Sequence, residues 1–376
     1  MNSKQKIVYP SPRDLKAILL DNANRTDIKA FLRRKGIFFF NATPDDMMSS
    51  VSEIIFGYND LQKIRSYVYR ASNKQILSGF TLTSDKMFDL TSIYNSVRKN
   101  GKTKTDGYEL KSICQKKMAS GDTYYEGSMV YTKKTAGRIE FLRTEERDVS
   151  FIMKKVDDRN WQVEVDGSQS ADGKSVIQML ENITKDHQVK ITLLLLDYLS
   201  RSESITFFDR LSHEGLGSEW KLEDIGRITL KKHAGTYDDK EEDADEEDEE
   251  ASVEQLSGIS QAILEGKNLR ENKFVKQAED SGYAFTSMTY VFAGKAKKIK
   301  LRAEFKRNPK IFEVCLENYM EPAIGEKEKY EDAMSSLDEA DNIAIRSVFW
   351  NNAKKVYKSI QDERLKSQTM VTSRKK

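Results

Sequence analysis

The sequence predicts an α+β fold: a helical N-terminal module, an antiparallel β-meander with helices, an acidic linker, and a second β-meander closed by a long C-terminal helix. Three observations predict it. Helical spacing of apolar residues runs through the first 72 positions, period-two alternation sets in at Tyr124 and again at Tyr283, and one block is too acidic to join any core. That block, Asp238 to Glu250, holds eleven carboxylates and one lysine. Like-charge repulsion keeps such a run extended and solvated. It also hides the charge of everything else, because outside it 61 basic residues face 49 acidic ones, a net +12 within a chain of +2.

At 376 residues the chain is long enough for two or three cores. The expected organisation is a helical module over 1–72, a mixed meander and helix domain over 73–236, an acidic linker over 237–252, a second meander and helix domain over 253–364, and a basic tail over 365–376. Cys114 and Cys315 stand 201 residues apart, too few cysteines for a disulfide framework, and each is expected as a small buried apolar residue. His187, His213 and His233 lack metal-ligand spacing, so no zinc site is expected. The opening Met-Asn-Ser-Lys-Gln-Lys lacks the apolar stretch of a signal peptide, and the longest aliphatic run, Leu193 to Leu196, is far too short for a bilayer. These features predict a cytoplasmic protein with no membrane partner.

In order, Ser11-Pro12 starts a helix carrying Leu15, Ile18 and Leu19. Thr26 can cap a second, with Ile28, Phe31 and Leu32 on one face, and Gly36 stops it. Ile37 to Phe40 reads as an extended apolar strip, and Thr43-Pro44-Asp45-Asp46 starts a third helix. This order, over about residues 25–57, resembles the SAP-type helix-extended-helix module, through Ile28-Lys29-Ala30-Phe31-Leu32-Arg33-Arg34-Lys35-Gly36-Ile37 and the helix from Asp45. The resemblance implies a small nucleic-acid-binding fold, in which basic residues on the second helix are usual. The second helix departs from the family in being acidic at its start. No family is suggested for the rest of the chain.

A fourth helix, Asn59 to Ala71, interleaves Lys63, Arg65 and Arg70 with Tyr67 and Tyr69, the residue types of a phosphate-and-stacking surface. A short helix is expected near 85–97, then a basic stretch over 98–117. Alternating segments at 128–131, 138–143, 149–153 and 161–165 predict strands, followed by helices at 174–185 and 190–213 and strands around 220–232. After the acidic run come a helix at 253–265, strands at 283–292, 297–306 and 310–317, and a helix from 326 to 363 with Ile345, Phe349, Ala353, Val356 and Ile360 inward. At a constant offset of 159, Ser128, Met129, Tyr131, Arg143 and Glu145 match Ser287, Met288, Tyr290, Arg302 and Glu304, which suggests a duplicated β-unit.

Two patterns could carry chemistry. Glu304 and Lys306 are two apart on a strand and so share a face. With Asp280, 24 residues before Glu304, they resemble the site of PD-(D/E)xK nucleases, which implies a catalytic trio and a bound Mg²⁺. The plainer alternative is a ladder of alternating charge through Arg302. The second pattern, Ser168 to Ser175, ends in Gly173-Lys174-Ser175 but lacks the first glycine of a phosphate-binding loop, and the alternative is a capped helix start.

The leading expectation is a non-enzymatic protein with no cofactor that binds nucleic acid through phosphates, largely independently of sequence. Lys29, Arg33, Arg34, Lys35, Lys63, Arg65 and Arg70 belong to one set of candidate contacts, and Lys295, Lys297, Lys298, Lys300 and Arg302 form the densest. The Mg²⁺-dependent nuclease is one alternative, and an interaction subunit that forms homo-oligomers through the C-terminal helix is another. The acidic run is either a tether or a competitor that folds over a basic surface in place of nucleic acid.

Overall fold

The computed structural model describes residues 9–22, 25–40, 42–70, 75–85, 95, 99, 104–105, 107–117, 123–134, 144–185, 188–232, 259–295, 297–306, 310–323, 326–332 and 339–373. The acidic run and most of the helix expected near 85–97 lie outside these residues. The chain forms two compact units: one of 1–74, 96–112 and 128–149, the other of 75–95, 113–127 and 150–376.

Among the described residues the first unit has the helices α1 (Pro12–Asn22), α2 (Arg25–Arg34), α3 (Pro44–Ser52) and α4 (Tyr58–Arg70). Their apolar stripes, with Phe56 from the α3–α4 connection, close one core of Leu15, Ile18, Leu19, Ile28, Phe31, Leu32, Met47, Met48, Val51, Leu61 and Ile64. Ser11 accepts from the Asp14 amide at 3.2 Å, and Thr43 accepts from the Asp46 amide at 3.2 Å, so α1 and α3 begin where the sequence predicts. α2 begins at Arg25, one residue before the expected cap. β2 (Lys104–Thr105) turns through Gly107, at φ +103°, into β3 (Tyr108–Lys117). β4 (Thr123–Lys134) and β5 (Thr144–Lys155) follow, with Met129 and Tyr131 buried as their counterparts Met288 and Tyr290 are.

The second unit is one antiparallel sheet in the order β5-β6-β1-β12-β11-β10-β8-β9. Its strands are β1 (Ile76–Ser84), the end of β5, β6 (Asn160–Gly167), β8 (Lys221–Lys232), β9 (Gln261–Glu265), β10 (Tyr283–Ala293), β11 (Lys298–Lys306) and β12 (Ile311–Ala323). Beyond β12, the same edge of β1 pairs with β7 (Val189–Leu193), and β13 (Glu326–Asp332) pairs with β12. α6 (Arg201–Glu214), α7 (Lys273–Asp280) and α8 (Glu339–Ser373) pack one face, where Phe207, Phe208, Phe349 and Trp350 meet Tyr290, Phe292, Phe305 and Phe312. α5 (Ser170–Thr184) covers the other face at β1, β6 and β7. Adjacent residues of β1 show both contacts. A side chain at Gly79 would run into Trp350 of α8, and Gly173 of α5 lies against Ser78.

A polar layer lies under α8. Arg346 is 1% exposed, yet it donates to Asn342 Oδ1 at 2.7 Å and to Asp166 Oδ1 at 2.6 Å. The next helix residue, Ser347, donates to buried Glu164 at 2.8 Å, and Glu164 also accepts from Lys154 at 3.0 Å. These contacts, with Ile345, Phe349, Ala353, Val356 and Ile360 facing inward as expected, seat the helix on β6 and β1.

Several expectations need correction. The acidic run does not separate two domains: Lys231 pairs with Gln261 and Tyr283 with Lys232, so the run joins neighbouring strands of one sheet. Residues 261–265 and 189–193 are strands rather than helix, because open edges of β8 and β1 supply backbone partners that outweigh local propensity. Residues 326–332 likewise pair with β12, and the last helix starts at Glu339 and runs through the supposed tail to Ser373. Cys114 is exposed, on the outward side of β3, whereas Cys315 is buried as expected.

Candidate nucleic-acid interface

α2 buries Ile28, Phe31 and Leu32, which turns the opposite face to solvent. That face carries Arg25, Lys29 and Arg33 at i, i+4 and i+8, all exposed. Among the described residues no carboxylate pairs with any of the three. Like charges at this spacing repel by a few tenths of a kcal/mol per pair, so the row adds nothing to helix stability. Core packing holds it in place. Its neighbours differ: Arg34 Nε donates to the Ala30 carbonyl at 3.3 Å, and Lys35 pairs with Asp60 at 2.7 Å.

The chain leaves α2 through a Schellman motif. The Ile37 amide donates to Leu32 O and the Gly36 amide to Arg33 O, each at 3.0 Å, with Gly36 at φ +78°. Ile37 packs on the core containing Leu32, as the motif favours. The burial of the next residues alternates, the pattern an extended segment produces. Phe39 packs inward with Ile37, while Phe38 and Phe40 are 60% and 85% exposed. A fixed exit from the helix therefore presents two bare aromatic rings directly after the cationic row.

On α4, Lys63 is exposed and Arg65 half-buried, and Arg70 is its last helical residue. The densest cationic run of the sequence behaves differently in the second unit. Lys298 pairs with Glu223 at 2.5 Å, and Lys300 and Arg302 reach Glu317 at 3.6 and 3.3 Å. Arg302 also lies 3.4 Å from Glu304, and Lys297 stands over the Tyr319 ring at 5.5 Å. Of these five cations Lys295 alone, in the turn before β11, is exposed. Most of this positive charge is answered within the fold.

Glu304 and Lys306 do share a strand face, with Glu304 8% exposed and Lys306 half-buried. Asp280 is exposed at the end of α7, whose Val275 and Ala278 pack with Leu301, Ala303 and Phe305, the residues of the opposite face of β11. The sheet thus lies between Asp280 and the Glu304–Lys306 pair. Among the described residues no group of three or more His, Cys, Asp or Glu side chains is placed to hold a metal ion. The Ser168–Ser175 stretch is a helix start: the Asp172 carboxylate accepts from the Ser168 and Gln169 amides at 2.8 and 2.9 Å, occupying the place a phosphate would take. Burial pushes the Cys315 thiol up, against the pull of Arg302.

No protein-family model matches the chain, and no curated protein matches it. Among solved structures, DynU16, from the dynemicin biosynthetic locus, aligns over 76% of this chain and 98% of its own, at 9% identity and a TM-score of 0.14. At that score the likeness contributes nothing to the reading of the fold or the site. Among the described residues no helix is long and apolar enough to cross a membrane.

Arg25, Phe38 and Phe40 are the residues that sequence reasoning passed over. Two signals were present. Arg25 extends the Lys29–Arg33 spacing by one turn, and three consecutive phenylalanines on an extended segment cannot all face one core.

Proposed function

We propose that this protein binds nucleic acid without catalysing its cleavage, through phosphate contacts made by the outer face of α2 and largely independently of sequence. The observation that carries the reading is the row Arg25, Lys29 and Arg33, three exposed cations with no acidic partner among the described residues. Their charge is available to a polyanion, whereas that of Lys298, Lys300 and Arg302 is held by carboxylates. The succession of α2, the segment over 37–40 and α3 resembles the SAP-type module, which supports nucleic-acid binding in general and not the choice of helix. The protein acts in the cytoplasm on this view, with no membrane partner and no cofactor.

The test is a fluorescence anisotropy titration of a labelled duplex at two salt concentrations. Three phosphate contacts predict that affinity falls about 40-fold between roughly 50 and 200 mM salt, through counterion release. Absence of binding at the lower concentration, both for this duplex and for a single strand of equal length, sinks the proposal. Adding Mg²⁺ to the same mixtures checks for cleavage, and a cut strand would turn the reading toward the nuclease.

A further inference from the structure

The geometry points to single-stranded nucleic acid as the form preferred by this surface, with Phe38 and Phe40 stacking on bases while the α2 cations hold the adjoining phosphates; the inference rests on the phosphate-binding reading above. Two large aromatic side chains, exposed to 60% and 85% and two residues apart, form an apolar patch of the kind that marks an interaction site. What binds there must tolerate, or want, positive charge, because the cationic helix comes immediately before. An apolar protein face does not meet that condition. A strand of unpaired bases does, since it offers π-faces and phosphates together.

The spacing fits. Residues two apart on an extended chain are separated by about 6.6 Å, close to two stacking intervals of about 3.4 Å each. One base can therefore lie between the two rings. In a duplex the bases are already stacked on one another, and neither ring gains a face without unstacking a step. The Schellman turn at Gly36 and the inward anchors Ile37 and Phe39 fix the strip before any ligand arrives, which lowers the ordering cost of binding. Arg33, in the last turn of α2, is the row's nearest cation in sequence to the rings.

The experiment titrates a labelled oligothymidine and a duplex of equal length into the wild-type chain and into two paired variants. Phe38→Ala with Phe40→Ala should lower affinity for the single strand tenfold or more, since each stacked base contributes between about 5- and 150-fold. Duplex affinity should stay within twofold, and the salt slope should not change. Phe38→Tyr with Phe40→Tyr should restore single-strand affinity to within threefold, which separates stacking from any loss of fold. Equal losses for both probes, or no loss for either, overturn the inference while leaving phosphate binding intact. So does a dimer that dissociates on the alanine substitutions, because the rings would then be covered by a second copy. Failure of the wild-type chain to bind either probe at low salt overturns both readings at once.

Discussion

Arg302 Nε lies 3.3 Å from Glu317 Oε1, so the last cation of the most basic run in the sequence is neutralised inside the sheet. The guanidinium is 7% exposed and also faces Glu304 at 3.4 Å. Removing it leaves two partly desolvated carboxylates side by side. Arg302→Ala is expected to cost about 3 kcal/mol of stability, read as a lower urea midpoint, while Lys300→Ala should leave nucleic-acid affinity within twofold. A tenfold loss of affinity in the lysine variant would place the interface on β11 instead.

Arg346 makes the corresponding contact for α8. With its guanidinium 1% exposed and bonded to Asp166 and Asn342, Arg346→Met is expected to destabilise the second unit by about 3–5 kcal/mol. Arg346→Lys should recover less than half of that, because an ammonium cannot reproduce the two directed N–H bonds. Urea unfolding followed by tryptophan fluorescence reports the change, since Trp350 lies one turn away. A loss below about 1 kcal/mol would show that apolar packing alone seats the helix.

Alkaline pH should loosen the same helix. Burial pushes the Tyr357 hydroxyl up to about 12, and that hydroxyl donates to the Leu195 carbonyl at 2.8 Å. The folded state thus favours the neutral phenol. Its contribution is complete below the ordinary value of 10 and is lost as pH rises from 10 through about 12. Tyr357→Phe should cost about 1 kcal/mol at neutral pH and flatten part of the alkaline decline. Tyr290, whose hydroxyl burial also pushes up, contributes to the decline in the same direction. An unchanged alkaline profile in the variant would contradict the assignment.

The acidic run joins strands whose ends already lie side by side, with the Lys232 amide donating to Ser260 O at 2.9 Å. Replacing residues 233–258 by a short glycine-containing turn should leave the sheet folded and raise its stability by about 1 kcal/mol, because a shorter loop costs less to close. Thermal unfolding checks this. The same variant asks whether the run competes with nucleic acid: higher affinity at low salt identifies a competitor, and unchanged affinity a tether.

Local chemistry made much of the first unit legible. The Thr43 cap, the Gly36 stop and the Ile28–Phe31–Leu32 stripe each act within a few residues, and each falls where expected. The α+β class was legible too, from the change of period at Tyr124 and Tyr283. The sheet's centre was not. Ile76 to Ser84 carries Ser78, Gly79, Thr81 and Thr83 among its apolar residues, a weak strand signal, and it is a strand because β6, β12 and β7 pair with it. Long-range pairing also made strands of 189–193 and 261–265, while 326–332 pairs back on β12 as a hairpin. The cationic run at 295–302 misled for a related reason: its carboxylate partners Glu223 and Glu317 come from other strands, and charge counted along the chain cannot show a neighbour across the sheet.

The central claim is that α2, rather than β11, meets the phosphates. The most direct measurement is the salt dependence of duplex binding for Lys29→Ala with Arg33→Ala beside Lys298→Ala with Lys300→Ala. Each phosphate contact contributes about 0.9 to the slope of log affinity against log salt. The α2 pair should therefore lower the slope by about 1.8 and weaken binding at low salt, while the β11 pair leaves both unchanged. The opposite ordering, with the slope falling only in the β11 pair, would contradict the account.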